Sequence, residues 1–337
     1  MEGRNPQPSG PGLLDALTVG EPMALFMATQ PGELHAVADF RRVPAGAELN
    51  VATGLARLGL RTGYITRLGR DSFGRFLQGV LASEGIDARF VAQDDAHPTG
   101  FMLKTRADDG SDPQIEYFRK GSAASRLGLA DAPAGAFPAR HLHQTGITPA
   151  LSPSTRELAF HLVRQARAAG ATVSFDPNLR PRLWPSPEAM ADCVNALASL
   201  SDLVLPGLAE GRLLTGRDTA EDIAAFYLER GARQVVVKLG PEGAYYAERG
   251  GPAGHSPGIA VTQVVDTVGA GDGFAVGVVS GLLEGLSLAQ AAARGNAIGA
   301  RVVGFPGDSD GLPNRAELLD ADAGGAGATE AAGAAAP

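Results

Sequence analysis

The segment from Val264 to Ala275, with the sequence VVDTVGAGDGFA, constrains the chain more than any other stretch. An apolar run, a glycine-rich turn and a second apolar run predict a strand end, a turn and a helix start. Such a turn directs unpaired N–H groups and the positive end of a helix dipole at one point, which favours a phosphate or a developing anion. Asp272 lies at this junction and is a candidate general base. Taken alone, such a motif is more often only a capped turn, so the surrounding chain has to decide.

Four other apolar runs end in glycine or charged residues. They are followed by Gly20 and Glu21, by the segment from Asp176 to Arg180, by Pro206 to Glu210, and by Lys238 to Gly240. From His141 onward, apolar runs alternate with helical patterns, which predicts a doubly wound, mostly parallel sheet with helices on both faces. Ligands bind such sheets at the carboxyl ends of the strands, so we expect these residues to surround one site.

These residue types suit the transfer of a phosphoryl group to an alcohol. A hydroxyl needs a positioned base, and the loose transition state needs N–H donors and positive charge around the phosphoryl group. Asp272 would be the base, and the amides of Gly269, Ala270 and Gly271 would face the phosphate, where a Cβ would block close approach. Glu210 would hold Mg²⁺ through water, the alternative being a solvated helix carboxylate. The sequence has no GxxxxGK[ST] run and no GxGxxG after a strand, which argues against a P-loop or a dinucleotide site.

Composition narrows the choice of partners. The net charge of −8 without a basic run argues against nucleic-acid and anionic-membrane partners. One cysteine, a polar start and the absence of a long apolar run favour the cytoplasm. Residues 1–14 are polar and Pro/Gly-rich and 321–337 are Ala/Gly-rich, so we expect a disordered leader and a disordered tail around a folded unit at 15–320.

A smaller sheet is expected outside the main body. The runs TGFMLKTR and QIEYFRK are rich in β-branched and aromatic residues and are separated by the turn-rich ADDGSDP. Together with HAVADFRR they predict lid strands within about 33–47 and 97–121. The exposed edges of such a sheet need covering, so a homodimer joined through the lids is the expected oligomer.

Two motifs carry a family resemblance. AGAELNVATGLARLG with GRDSFG downstream resembles the amino-terminal signature of the PfkB (ribokinase-like) carbohydrate kinases, and VDTVGAGDGFAVG resembles their carboxy-terminal signature. The resemblance runs from about Leu17 to Pro313. It implies the three-layer ribokinase-like α/β fold with a β-sheet lid, ATP and Mg²⁺ as cofactors and, as in parts of the family, K⁺ beside Asp266 and Thr267. Within the family, VGEPM, EYFRKGSAAS and FDPNLRPRLW are most similar to kinases of 2-keto-3-deoxygluconate, although the last segment also occurs in fructokinases.

The resemblance also implies roles for individual residues. Asp272 matches the family's base, while Tyr117 and Arg119 of the lid and Arg180 after the DPN turn match residues that bind an acid sugar. Two guanidinium groups suit a carboxylate because each can grip both of its oxygens. Gly46 and Asn50 match the substrate-side loop. The residues assigned to the nucleotide side are Asn178, Lys238, Gly240, Gly243, Gly269, Gly271 and Asn296.

One departure from the family pattern leaves alternatives open. The family commonly carries Asn-x-x-Glu near the triphosphate and Mg²⁺, whereas this chain has Gly207 where Asn would stand and keeps Glu210. The expected activity is ATP-dependent phosphorylation of 2-keto-3-deoxygluconate to its 6-phosphate. The alternatives are a neutral-sugar kinase of the fructokinase or ribokinase type and a non-catalytic sugar or nucleotide sensor on the same fold.

Overall fold

The structure is a computed structural model that describes residues 12–106 and 113–319. The predicted tail at 321–337 lies outside the described residues, as does the predicted leader apart from 12–14. There Leu14 is buried and forms a parallel bridge with Ala139, so the folded unit extends slightly further toward the N-terminus than the sequence indicates.

Thirteen strands are found in this part of the chain. In order they are β1 (Ala16–Val19), β2 (Met23–Pro31), β3 (Phe40–Ala45), β4 (Thr62–Gly69), β5 (Val91–Asp94), β6 (Phe101–Arg106), β7 (Ile115–Phe118), β8 (His141–Thr145), β9 (Thr172–Asp176), β10 (Leu203–Val204), β11 (Gln234–Lys238), β12 (Gly243–Glu248) and β13 (Ala253–Pro257).

Helices connect these strands in the described part of the chain. In chain order they are α1 (Ala47–Arg57), α2 (Ser72–Ser83), α3 (Thr148–Leu151), α4 (Pro153–Ala168), α5 (Pro187–Leu200), α6 (Leu208–Thr215), α7 (Ala220–Arg230), α8 (Ala270–Leu283) and α9 (Leu288–Val302). Local capping sets several of these starts: the Asp71 carboxylate accepts from the Gly74 amide at 2.7 Å to begin α2, and Ser186 caps α5 in the same way.

The main sheet has the order β13-β12-β11-β10-β9-β8-β1-β4-β5. The strands from β11 to β5 are parallel, while β12 and β13 are antiparallel at one edge. One buried apolar cluster includes residues of α4, α5 and α7, and a second includes residues of α1, α8 and α9. Helices therefore cover both faces of the sheet and make three layers, as the alternating pattern predicts. No helix in the described ranges has the length and apolar character needed to cross a bilayer.

The second sheet has four strands in the order β3-β2-β6-β7. The central pair β2 and β6 is parallel and the two outer pairs are antiparallel. The predicted lid ranges contain β3, β6 and β7 but omit β2, which belongs to the same sheet. In β6, Met102 and Lys104 are buried, so one face of this sheet is turned toward the main body.

Three local predictions are wrong. Val264 to Asp266 is not a strand, and Val264 and Val265 are exposed, so the turn before α8 does not follow a strand of the sheet. The apolar run from Ile86 to Val91 also favours a strand, but β5 begins only at Val91, and before it Asp87 makes just an isolated bridge to Gly63. Residues Leu34–Ala36 form a 3₁₀ turn and β3 starts at Phe40.

Helices α8 and α9 approach so closely that a glycine is required between them. A Cβ on Gly277 would lie 2.5 Å from the Gly295 nitrogen and 2.6 Å from the Arg294 oxygen, and these backbone atoms cannot move independently of α9. We therefore expect Gly277→Ala to lower the free energy of unfolding in urea by about 1–3 kcal/mol.

The matched control is Gly79→Ala on the exposed face of α2, where a Cβ meets nothing within 4 Å. This change should raise stability by roughly 0.5–1 kcal/mol, because alanine reduces the entropy of the unfolded chain. Equal effects at the two positions would contradict the packing argument.

Candidate active site

A cleft of about 450 Å³ lies between the carboxyl edge of the main sheet and the lid sheet. Most of the residues assigned from the sequence line it, although they come from distant parts of the chain. Those in the cleft wall are Gly46, Asn50, Tyr117, Arg119, Asn178, Arg180, Glu210, Lys238, Gly269, Gly271 and Asp272.

Asp272 lies in the first turn of α8 and is 8% exposed. Its Oδ2 accepts a hydrogen bond of 2.7 Å from Asn50 Nδ2, and its Oδ1 faces Asn178 Nδ2 at 3.4 Å. No cation of the described chain forms an ion pair with it. Two neutral amides thus orient the carboxylate, and neither of them neutralises its negative charge.

The surroundings of Asp272 raise its pKa from 3.8 to about 7. Burial is the main cause, and the nearby carboxylates of Asp176 and Asp308 add to it. The hydrogen bond from Asn50 and the charge of Arg180 oppose the shift. A carboxyl group with a pKa near neutrality is suited to accept a proton from a hydroxyl.

The turn that precedes Asp272 is built for close approach. Gly269 is the residue before α8 and has a φ of 86°, a left-handed conformation, and a Cβ there would lie 2.3 Å from the Asp308 oxygen. The Ala270 amide makes a long bond of 3.4 Å to the Thr267 oxygen. The first amides of an α-helix have no partner within the helix, so those that follow Gly269 are directed at the cleft.

Lys238 and Asn178 are held by Asp176, which the sequence places at a strand end without assigning it a role. Lys238 Nζ lies 2.6 Å from Asp176 Oδ2, and the Asn178 amide donates to Asp176 Oδ1 at 3.2 Å. Burial lowers the pKa of Lys238, but the charges of Asp176, Glu210 and Asp272 outweigh it and leave the pKa raised. Asn178 has a φ of 38°, so its side chain projects from a strained turn into the cleft.

Glu210 has less freedom than a metal ligand needs. Its Oε1 accepts from the Leu179 amide at 2.7 Å and its Oε2 from the Gly207 amide at 2.9 Å. The carboxylate therefore joins the start of α6 to the loop that carries Asn178. Within the described ranges, no group of three or more His, Cys, Asp or Glu side chains could hold a metal ion. A hydrated Mg²⁺ carried by phosphates fits this donor set better than an ion held by the protein alone.

The substrate side combines main-body and lid residues. Gly46 has a φ of 132° and precedes α1, and a Cβ there would lie 2.7 Å from the Glu21 oxygen. Tyr117 is 42% exposed and its ring lies 5.8 Å from the Arg119 guanidinium. Arg180 donates to the backbone oxygen of Leu179 at 2.9 Å.

Arg119 is already paired with a carboxylate. It is 8% exposed and its Nε donates to Glu21 Oε2 at 2.6 Å, while Ser122 donates to the other oxygen of Glu21. Sequence analysis did not predict this partner, although a glutamate directly after β1 is an unusual residue to bury. In the described residues Arg180 has no such carboxylate partner, which separates the two arginines in function.

A second groove of about 430 Å³ adjoins the first. Lys238, Thr267 and Gly271 line both, and the second has a largely apolar wall that includes Ile259, Val261 and Val303. The predicted nucleotide-side residues found only here are Gly240, Gly243 and Asn296.

Two of these residues make contacts that stabilise the fold. Asn296 donates its amide hydrogens to Ser256 and Pro257, which anchors β13 against α9. Gly243 has a φ of 102°, and a Cβ added there would lie 2.2 Å from the backbone oxygen of Ser256. Their hydrogen bonds and packing thus shape the wall of this groove.

A buried carboxylate of raised pKa at a helix N-terminus, with a lysine beside it and an apolar groove continuing the cleft, is the arrangement expected of a kinase that acts on an alcohol. A model of the "pfkB family carbohydrate kinase" matches residues 14–315. The chain belongs to this family of carbohydrate kinases, and the predicted family and reaction class are confirmed.

Individual relatives support this assignment. The chain is 52% identical over 307 residues to the 2-dehydro-3-deoxygluconokinase of Bacillus subtilis (strain 168), with 90% of this chain and 94% of the relative covered. The crystal structure of a PfkB protein from Polaromonas sp. JS666 is 51% identical, with a TM-score of 0.84 and coverage of 91% and 99%. A fructokinase double mutant of Vibrio cholerae O395, with fructose, ADP and potassium ion bound, is 28% identical, with a TM-score of 0.80 and coverage of 92% and 98%. The predicted ribokinase-like α/β fold is confirmed.

The raised pKa of Asp272 has a consequence for stability. The folded state binds a proton more tightly than the unfolded chain, so stability falls as pH rises from about 4 to about 7. Asp272→Asn removes this effect, and we expect the variant to be more stable than the parent at about pH 8, by roughly 1–4 kcal/mol.

Urea unfolding at about pH 5 and about pH 8 measures this difference. The gain should be smaller at the lower pH, where the parent carboxyl group is protonated. Asp192→Asn, on the exposed side of α5, is the matched control and should show no pH-dependent gain. A pH-independent effect of Asp272→Asn would contradict the assignment.

Proposed function

We propose that this kinase transfers the γ-phosphoryl group of ATP to a hydroxyl of 2-keto-3-deoxygluconate or a closely similar acid sugar. The observation that carries the proposal is the placement of Arg180 in the same cleft as Asp272, without a carboxylate partner in the described part of the chain. The relative at 52% identity that bears the name 2-dehydro-3-deoxygluconokinase points to the same substrate.

Asp272 is proposed to accept the proton of the reacting hydroxyl. Its Oδ2 is fixed by Asn50 across the cleft, so the carboxylate cannot rotate away from a sugar that lies between α1 and α8. Its burial makes the proton transfer favourable near neutral pH. The lid, which contributes Tyr117 and Arg119, would cover the sugar and exclude water that competes as an acceptor.

The phosphoryl group is proposed to lie over the N-terminus of α8. The amides of Gly271 and its neighbours and the ammonium of Lys238 would stabilise the charge there, since oriented donors act strongly where water is excluded. ATP fits the adjoining groove, because the apolar wall suits the adenine ring and the glycines leave room for the phosphates. Mg²⁺ would accompany the phosphates, with Glu210 reaching it only through water.

The substrate carboxylate is assigned to Arg180 in the first place. Arg119 is neutralised by Glu21, so its net attraction for a second anion is small, although its remaining N–H groups can still donate. Arg180 has no carboxylate partner among the described residues. Its Nη1 donates to the backbone oxygens of Leu179 and Asn178, which orients the guanidinium and leaves Nε and Nη2 to donate to the anion. The predicted pair of arginines is thus unequal.

The same Glu21–Arg119 pair supports a second candidate, a neutral-ketose kinase of the fructokinase type. A neutralised arginine and an exposed tyrosine can bind sugar hydroxyls as well as a carboxylate. The structure of the relative with fructose and ADP bound, at 28% identity, adds weight to this alternative.

The oligomeric state and the cellular compartment are also proposed. Tyr117 and Phe118 are exposed on β7, an edge strand of the lid, and a homodimer joined through the lid sheets would cover them. A cytoplasmic location is proposed from the single cysteine, which fits a reducing compartment.

Replacement of the proposed base tests the mechanism. Asp272→Asn should lower kcat by roughly 10²-fold to 10⁴-fold with little change in the KM for ATP. In the parent enzyme, kcat/KM for the sugar should rise with pH through about 7, because only the ionised carboxylate accepts a proton. A coupled assay of ADP release measures both, and an unchanged kcat would remove Asp272 from the mechanism.

A sugar panel tests the substrate. The parent should prefer 2-keto-3-deoxygluconate to fructose and ribose, and Arg180→Leu should raise the KM for the acid sugar by roughly tenfold to hundredfold, the value of a charge-assisted hydrogen bond. The KM for a neutral ketose should not change. Arg182→Leu, two residues away and exposed, is the matched control.

Preference of the parent for a neutral ketose would overturn the substrate proposal and favour the second candidate. Binding of sugar and nucleotide without ADP release would instead favour a sensor. An equal loss toward both sugars in Arg180→Leu would show that this residue supports the loop rather than the substrate carboxylate.

A further inference from the structure

Lys104 is a deeply buried charged side chain outside the proposed catalytic set. It is 1% exposed and projects from the lid strand β6 toward the main body. The chain contains only three lysines among its 29 Lys and Arg residues, and the other two are the exposed Lys120 and the cleft residue Lys238. A buried ammonium needs close negative partners, because leaving water is costly for an ion.

Two carboxylates supply that compensation. Lys104 Nζ lies 2.5 Å from Asp266 Oδ2 and 3.1 Å from Asp308 Oδ1, and both carboxylates are buried. Asp266 and Asp308 are 42 residues apart in sequence. The Lys104 ammonium therefore joins the lid strand β6 to the two loops that carry Asp266 and Asp308.

Both loops touch the turn that carries the proposed base. Asp266 Oδ1 accepts from the Val268 amide at 3.0 Å, immediately before Gly269. The backbone oxygen of Asp308 would lie 2.3 Å from a Cβ on Gly269, so this loop packs directly on the turn. A displacement of either carboxylate would be transmitted to Gly269 and to the amides that follow it.

The same place was expected to bind K⁺, beside Asp266 and Thr267. The Asp266 carboxylate is already satisfied by Lys104 and the Val268 amide, so its side chain does not fit a second cation. The expected monovalent ion and the observed ammonium would compete for the same negative charge.

We propose that Lys104 is a positioning residue that acts as a built-in monovalent cation, holding the two loops against the turn at the start of α8 whenever the lid is seated. The inference rests on the proposed role of that turn in phosphoryl transfer. It predicts that catalysis does not require K⁺, and that lid position and the geometry of the turn are coupled through one side chain.

The charge of Lys104 also bears on Asp272. Asp308 is one of the carboxylates that raise the pKa of Asp272, and Lys104 lies on Asp308. The ionisable groups that act on this region from the surrounding elements are Asp176, Lys238, Glu210, Arg180, Asp266, Asp308 and Asp310. Removing the ammonium should expose Asp272 to more negative charge, and removing Asp308 should do the opposite.

The experiment compares the parent with Lys104→Met, Asp308→Asn and the matched control Lys120→Met. The sugar is the best substrate found in the panel, and the chloride salts of K⁺, Na⁺ and tetramethylammonium are varied. The parent should turn over equally in all three salts. Lys104→Met should lose roughly tenfold to hundredfold in kcat, the order expected when reacting groups are misplaced, and K⁺ but not tetramethylammonium should recover part of the loss.

Two readouts separate positioning from general stability. The acid limb of kcat/KM, the range in which it rises with pH as Asp272 ionises, should move to higher pH in Lys104→Met and to lower pH in Asp308→Asn. The melting temperature of nucleotide-free Lys104→Met should rise with K⁺ relative to tetramethylammonium, since the ion fills the vacated charge, whereas the parent and Lys120→Met should not respond.

The proposal would be overturned if the parent enzyme requires K⁺. It would also be overturned if the acid limbs of kcat/KM in Lys104→Met and Asp308→Asn do not move in opposite directions. If Lys104→Met does not fold, the proposal is decided by the activity of the parent in the three salts and by the acid limb of kcat/KM in Asp308→Asn. Failure of the Asp272 assignment is distinguishable, because the parent would then lack an acid limb near neutral pH altogether.

Discussion

The hydrogen bond between Asn50 and Asp272 is the interaction on which the site depends. It joins residues 222 positions apart and links α1 to the first turn of α8 on the same side of the sheet. Both helices start at a glycine with a left-handed φ, Gly46 and Gly269, and each of these glycines lies against the backbone of another segment. The position of the carboxylate is therefore set by backbone packing that a side chain at either glycine would disrupt.

Four carboxylates around the cleft are paired with a cation. Asp176 is paired with Lys238, Glu21 with Arg119, and Asp266 and Asp308 share Lys104. Asp272 differs from these four, because its close partners are the neutral amides of Asn50 and Asn178. Burial without a paired cation is what moves its pKa to about 7. The ion pairs join the loops around the cleft, and the carboxylate without a cation is the one proposed to react.

The sequence predicted the parts of the fold that local patterns determine. The glycine-rich turn and the apolar run after it located the start of α8 and singled out Asp272 as the candidate base. What it could not predict depends on partners distant in the chain. The pairing of Arg119 with Glu21 spans 98 residues, and nothing near Arg119 indicates that its charge is neutralised. Lys104 offered a weak signal, since it alternates with Met102 on the buried face of a strand, but its carboxylates lie 162 and 204 residues away.

The lid hairpin combines two functions that sequence analysis treats separately. In the pairing of β6 with β7, Met102 is opposite Tyr117 and Lys104 is opposite Ile115. Tyr117 and the following Arg119 face the substrate cleft, while Lys104 reaches the loops behind the turn. Because the two groups lie on paired strands, a displacement of the pair would move both. The proposed recognition of the sugar and the proposed support of the phosphoryl-transfer site therefore both depend on the position of the lid.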